Sequence, residues 1–121
     1  NAISAAVSTI SRQLNASAIL PLTKSGATAN NVSKFRPATP IIAITSEIEV
    51  TRRLQLAWGV IPLLIPKQSS TSKTFELAIK TAAENKLLKQ GDLVVETAGT
   101  LNDVSGSTDL IKVGIVNLKN N

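Results

Sequence analysis

Short apolar runs alternate with helix-length amphipathic stretches along nearly all of this 121-residue chain. No other feature narrows the fold as far, because strands separated by helices pair in parallel and bury both faces of their sheet. The run Pro40-Ile41-Ile42-Ala43-Ile44-Thr45 is continuously apolar and β-branched, as a doubly covered strand requires. Further runs fall at 18–22, 60–65 and 92–98. Pro21 and Pro62 weaken the first and third, since proline donates no ladder hydrogen bond. A last run, 110–118, mixes Lys112, Gly114 and Asn117 with its apolar residues, which suits an edge strand.

Helical periodicity covers 2–14, where Ile3, Val7, Ile10 and Leu14 share a face and Ala5, Ala6 and Ser8 fill the gaps. A second helix-like segment lies near 29–35 and closes before Pro37. A third runs from 46 to about 58, with Ser46 and Glu49 at capping-box spacing. Val50, Leu54, Ala57 and Trp58 point inward there, and Gly59 follows as a stop. The longest spans about 73–89, with Phe75, Ala78, Ile79, Ala82, Ala83 and Leu87 inward and Lys89 and Gly91 at its end. The order α-β-α-β-α-β-α-β-β predicts an α/β unit with helices on both faces of a mostly parallel sheet. The link of about ten residues before the final strand suits an antiparallel return.

The length suits a single domain, 1–121. The chain is 43% apolar, yet its aromatics are only Trp58, Phe35 and Phe75, so Ile, Leu, Val and Ala must form the core. There are 13 Lys+Arg against 8 Asp+Glu, a formal net charge of +5. The basic residues stand singly apart from Arg52-Arg53 and lack interleaved aromatics, so no nucleic-acid partner is expected. A small anionic ligand, or solubility alone, accounts for the charge. Cysteine is absent, which excludes disulfides and thiolate chemistry and suits a cytoplasmic location. Histidine is absent too, removing the most frequent general base and metal ligand. No apolar run reaches the ~18 residues of a membrane span, and no signal-peptide pattern opens the chain. The glycosylation-type triplets at 15–17 and 31–33 read as chance. With no methionine and a helical pattern already running at its start, the sequence is expected to be a piece of a longer protein.

The candidate binding element is Thr23-Lys24-Ser25-Gly26-Ala27-Thr28, between the first strand and the second helix. A strand-to-helix turn points backbone N–H groups outward at the positive end of a helix dipole. The N–H groups of 26–28, the hydroxyls of Thr23, Ser25 and Thr28 and the ammonium of Lys24 could hold a phosphate. The same residues also describe an ordinary turn capped by Ser25. A second polar loop, 99–109, follows the fourth run. If strands one and four are central neighbours, the two loops meet over one crevice at the carboxyl edge of the sheet. Ser105, Gly106, Ser107 and Thr108 would then wall the site, or else form a solvated loop, and Asp103 beside them would repel an anion. Arg52-Arg53 reads as a solvated or interface face, and Glu47 and Glu49 as first-turn charges rather than a catalytic pair. Gly99-Thr100-Leu101 lacks the full dinucleotide pattern and the P-loop signature is absent, so catalysis by this chain itself is not expected.

Several long collinear blocks resemble one family. They are Thr-Lys-Ser-Gly (23–26), Val-Ser-Lys-Phe-Arg-Pro-Ala-Thr-Pro-Ile-Ile-Ala-Ile-Thr (32–45), Arg-Arg-Leu-Gln-Leu-Ala-Trp-Gly-Val-Ile-Pro (52–62), Lys-Gln-Gly-Asp-Leu-Val-Val-Glu-Thr-Ala-Gly (89–99) and Gly-Ser-Thr-Asp-Leu-Ile-Lys-Val (106–113). Together they resemble the C-terminal domain of pyruvate kinase, of the bacterial type, over nearly the whole sequence. The resemblance implies a three-layer α/β/α unit with a five-stranded sheet whose last strand runs antiparallel. It implies an allosteric effector pocket and one subunit interface of a homotetramer. Phosphate transfer from phosphoenolpyruvate to ADP in glycolysis, with Mg and K as cofactors, belongs to the family's barrel domain, so no cofactor is implied for these residues. Thr23, Lys24, Ser25, Gly26 and Thr28 match the family's phosphate-binding loop, with Ala27 inside it, and Ser105, Gly106, Ser107 and Thr108 match the loop that folds over the effector. Ala27 is smaller than the family's usual residue, and the second loop carries Asp103 in place of Arg- and Trp-type contacts. The implied effector is therefore a monophosphate such as AMP or a sugar phosphate, rather than a bisphosphate.

Overall fold

The computed structural model describes residues 2–35, 37–98 and 110–118. Its elements are α1 (Ala2–Gln13), β1 (Ala18–Pro21), α2 (Ala27–Ser33), β2 (Ile41–Thr45), α3 (Ile48–Leu54), β3 (Val60–Leu64), α4 (Thr71–Glu84), β4 (Leu93–Ala98) and β5 (Leu110–Ile115). The strands form one sheet in the order β3-β2-β1-β4-β5. β1, β2, β3 and β4 pair in parallel, and β5 returns antiparallel to β4 with Glu96 opposite Lys112. The alternation of apolar runs and amphipathic stretches thus becomes the α/β sheet that it predicts.

From β1 the chain steps outward through α2 to β2 and through α3 to β3. It then crosses back through α4 to β4 on the other side of β1. Parallel crossovers are right-handed, so reversing direction moves the connecting helix to the opposite face. The apolar clusters follow that rule. On one face Ile19, Ile41 and Val95 pack with Val7 of α1 and Val32 of α2, and Ala43 packs with Ala29 of α2 and Val50 and Leu54 of α3. On the other, Leu20, Ile42, Ile44, Leu63 and Val94 pack with Phe75, Ala78 and Ala82 of α4. All residues of β1 and β2 are buried. Each fully buried aliphatic side chain contributes about 1.5–3 kcal/mol. The two strands read as unbroken apolar runs because neither has a face toward water.

The proline positions have visible consequences. The β1–β2 ladder consists of Ile19 opposite Ile41 and a separate bridge at Leu22 and Ile44, interrupted at Pro21. Pro62 lies on β3, which is an edge strand, where a missing donor is tolerated.

Several boundaries and faces differ from the sequence reading. The capping box at Ser46 and Glu49 does not form. The Thr45 hydroxyl takes the Glu47 N–H at 3.1 Å, so Glu47 becomes the N-cap and Glu49 falls one position short of a box partner. α3 ends at Leu54, and Trp58 is exposed rather than inward, although Ala57 does pack on the cluster. Leu14 is exposed too, whereas Ser4, Ser8 and Ser11 are buried. Those small side chains let α1 lie close to α2 and β4. α4 begins at Thr71, where Ser70 caps it by accepting the Lys73 N–H at 3.2 Å, and it ends at Glu84 rather than near Gly91.

α4 stops early through a Schellman turn without glycine. Leu87 N–H donates to the Ala82 carbonyl at 2.8 Å and Lys86 N–H to the Ala83 carbonyl at 3.0 Å, with Lys86 at φ 63°. α1 ends the same way, with Ala16 N–H on the Ser11 carbonyl and Asn15 at φ 53°.

Candidate functional site

β1 and β4 are adjacent, and the strand order reverses between them. Ligands of open α/β sheets bind outside the carboxyl ends of the strands at such a point. The segment 23–28 leaves β1 there. Thr23 N–H donates to the Ile44 carbonyl at 2.9 Å, which ties the start of the loop to β2.

The loop holds itself together. The buried Thr23 side chain accepts the Gly26 N–H at 2.8 Å, and the Ser25 hydroxyl accepts the Ala27 N–H at 3.2 Å. Gly26 has φ 92° and is the N-cap of α2, the position that the sequence reading gave to Ser25. A β-carbon added there would lie 3.5 Å from Val50 and from Leu54, an ordinary contact, so it is the backbone angle that calls for glycine. The Arg53 guanidinium donates to the Ser25 carbonyl at 3.4 Å from the exposed side. Thr28 is buried, Ser25 and Ala27 are half-buried, and Lys24 is exposed.

Two of the three backbone N–H groups expected to face a phosphate, those of Gly26 and Ala27, therefore bond to hydroxyls of the loop. What the loop offers outward is chiefly the Lys24 ammonium.

Beside it lies an open groove of about 720 Å³. Thr23 and Lys24 form one wall, Thr45, Ser46 and Glu47 the floor at the end of β2, and Lys67, Ser70 and Thr71 the approach to α4. Lys24 and Lys67 are thus placed on one cavity with several hydroxyls between them, and Glu47 adds a carboxylate. Among the described residues, no group of three or more His, Cys, Asp or Glu could hold a metal ion, and no helix is long and apolar enough to cross a membrane.

The structure brings Thr23, Lys24, Ser25, Gly26, Ala27 and Thr28 into one compact turn. Ser105, Gly106, Ser107 and Thr108, with Asp103, lie outside the described residues. Sequence reasoning set Arg53 on a solvated or interface face without its contact to Ser25, and it missed Lys67 and the hydroxyls of Ser70 and Thr71. The signal for the last three was positional: 66–70 follows a parallel strand, so it must open on the same edge of the sheet as the loop after β1. Arg53 carried no signal, because its reach to Ser25 depends on how α3 packs beside α2.

Comparison with known proteins agrees with this architecture. The family model described as "Pyruvate kinase, alpha/beta domain" matches residues 1–114. Pyruvate kinase 2 of Synechocystis sp. is 62% identical over 116 residues, 96% of this chain and 20% of that protein. Pyruvate kinase of Clostridium acetobutylicum is 41% identical over 114 residues, covering 94% of this chain and 24% of the relative. That of Geobacillus stearothermophilus is 41% identical over 116 residues, or 96% and 20%. The chain thus spans a fifth to a quarter of the length of these curated relatives. The match over residues 1–114, and identities of 41–62%, show that the chain belongs to the pyruvate kinase alpha/beta domain family.

Proposed function

We propose that this domain is the regulatory and oligomerisation domain of a cytoplasmic pyruvate kinase and binds a phosphorylated small molecule as its allosteric effector. The observation that carries the reading is the groove at the carboxyl edge of the sheet, where Lys24 and Lys67 share one cavity with the hydroxyls of Ser70 and Thr71. Charge-assisted hydrogen bonds contribute about 1.5–3 kcal/mol each. Three or four of them support affinity on the order of micromolar after association costs.

Glu47 on the same groove, and Asp103 in the sequence, oppose a second phosphate. A monophosphate such as AMP or a sugar phosphate fits this charge pattern better than a bisphosphate. Phosphate transfer from phosphoenolpyruvate to ADP, with its Mg and K, belongs in this reading to the barrel domain of the parent chain, to which this domain is joined. For assembly, the edge strand β5 exposes Leu110, Val113 and Ile115 and suits pairing with a second copy across a two-fold axis in a homotetramer.

Calorimetric titration of the full-length enzyme with AMP, ribose 5-phosphate and fructose 1,6-bisphosphate tests the effector. One of the two monophosphates is expected to bind most tightly, and Lys24→Ala to weaken it at least tenfold. Absence of binding by all three, or unchanged affinity in Lys24→Ala, refutes the reading.

A second reading, a purely structural assembly domain with a vestigial anion site, is favoured by the bonds within the loop. Gly26 and Ala27 N–H groups are already taken by Thr23 and Ser25. Under it, Lys24→Ala leaves regulation unchanged while disruption of the β5 edge dissociates the oligomer.

A further inference from the structure

A carboxylate is out of place in a groove suited to a phosphate, and Glu47 supplies one. It lines the same cavity as Lys24 and Lys67. Its repulsion accounts for what the groove keeps out, but not for what the carboxylate itself can hold.

Glu47 is fixed at the end of β2 by its backbone alone. Its N–H donates to the Thr45 hydroxyl at 3.1 Å, and its carbonyl accepts the Val50 N–H at 3.0 Å and the Thr51 N–H at 3.3 Å. Thr45 is held in turn, since its carbonyl accepts the Ile65 N–H at 2.9 Å. The fold makes no use of the Glu47 side chain. It gives no capping bond to α3, and among the described residues it closes no ion pair, whereas Glu49 two positions on is paired with Arg52 at 3.8 Å. Two cations and one anion therefore stand on one cavity without neutralising each other.

Those three charges limit what can lie between them. A phosphate monoester carries about −1.5 to −2 charges at pH 7, so its phosphate belongs with the lysines. The carboxylate must face a part of the ligand that bears no negative charge. Ionised, it has two acceptor oxygens and no donor, so that part must supply hydrogen-bond donors. Two hydroxyls on neighbouring carbons of a sugar match the paired oxygens. An ammonium would meet Lys24 and Lys67 on the same cavity, whereas hydroxyls bring no charge. The volume of about 720 Å³ falls within the range of about 300–1,000 Å³ typical of small-molecule sites.

Building on the effector reading of this groove, we propose that Glu47 is its specificity-determining residue. The carboxylate binds a pair of neighbouring sugar hydroxyls while Lys24 and Lys67 hold the phosphate, so the effector is a monophosphate that carries a vicinal diol. Because the backbone of Glu47 is already fixed, only its side chain has to be ordered on binding, which keeps the entropic cost of the contact low.

A cycle of ligands against variants tests this, read by calorimetric titration of the full-length enzyme. Ribose 5-phosphate is compared with 2-deoxyribose 5-phosphate and AMP with 2′-deoxy-AMP, and inorganic phosphate is titrated as a competitor without a sugar. In the pair that binds the wild type more tightly, loss of the hydroxyl is expected to weaken binding about tenfold, as for one charge-assisted hydrogen bond. In Glu47→Ala the hydroxyl-bearing ligand is expected to weaken to the level of its deoxy analogue. Inorganic phosphate should bind that variant as before or more tightly, because a like charge is gone. Glu47→Gln keeps an acceptor oxygen without the charge and is expected to fall between. A wild type that does not discriminate, a discrimination that survives Glu47→Ala, or equal weakening of inorganic phosphate and the monophosphates in Glu47→Ala would each overturn the assignment. If Lys24→Ala still weakens the monophosphate in those cases, the effector reading stands and the role of Glu47 alone fails. If no monophosphate binds the wild type, both fail.

Discussion

Replacing Gly26 by alanine separates the two reasons for a glycine in the candidate loop. The residue has φ 92°, a backbone region that costs an L side chain about 1–2 kcal/mol. Space is not the obstacle. The new β-carbon would stand 3.5 Å from Val50 and 3.5 Å from Leu54, ordinary contacts that return about 0.1–0.2 kcal/mol each. Alanine also narrows the unfolded ensemble, which recovers about 0.4–1 kcal/mol. The net expectation is a loss of about 0.5 kcal/mol, with the Thr23–Gly26 hydrogen bond kept. At a urea slope of about 1–3 kcal/mol/M, the unfolding midpoint falls by about 0.2–0.5 M. Trp58, the single tryptophan of the chain and half exposed, reports the transition. Gly114→Ala is the control, because Gly114 has no positive φ and open space around its β-carbon position. It should raise the midpoint, since glycine weakens a strand by roughly 0.5–1 kcal/mol. A stabilisation beyond about 0.5 kcal/mol by Gly26→Ala refutes the backbone argument. A loss beyond about 4 kcal/mol refutes the steric one, because that size belongs to cavity or overpacking effects rather than to one strained residue.

Lys86 occupies the left-handed position of the α4 Schellman turn, so Lys86→Gly should stabilise the chain by about 0.5–1 kcal/mol, read as a higher melting temperature. Ile44 is fully buried between β1 and β3 under α4, and Ile44→Ala should cost about 2–5 kcal/mol in urea unfolding. Asp92 accepts from both the backbone N–H and the ammonium of Lys89 at 2.9 Å. Burial pushes its carboxyl up, but the Lys89 and Ser17 hydrogen bonds outweigh it and hold the group below its ordinary value of 3.8. A depressed carboxyl contributes stability that is present above the unfolded value and lost as pH falls through the folded one. Asp92→Asn should therefore destabilise the chain by about 1 kcal/mol at pH 7, and the gap to wild type should close below the folded value.

The sheet was legible because its evidence is periodic. The unbroken run 41–45 and the helix-length gaps between strands need no tertiary information, and the proline at 21 marked where the β1–β2 ladder is interrupted. The helix ends were less legible because they are competitions among neighbours. Thr45 outbid Ser46 for the Glu47 amide, and Lys86 and Asn15 accepted angles usually left to glycine. The inward placement of Trp58 failed because α3 stops four residues earlier, so the 3.6 period no longer applies there. In the loop after β1, the residue types announced an anion-ready turn. Which amides face outward depended on the Thr23 and Ser25 rotamers, and composition does not encode those. Lys67 escaped notice because a groove is a property of the closed sheet, not of any one segment.

The gap that Pro21 leaves between β1 and β2 gives the sheet a mechanical grain. On one side stand β2 and β3, paired along five successive residues, and on the other β1, β4 and β5. Between these two ribbons the backbone is stitched at Ile19 and again at Leu22, and the Thr23 amide, hydrogen-bonded to Ile44, is the last stitch before the loop. A load along the strands parts a sheet where its stitches are fewest. The loop after β1 is anchored across that line, so a ligand of the kind proposed above would pull on both ribbons at once and act as a clasp over the seam.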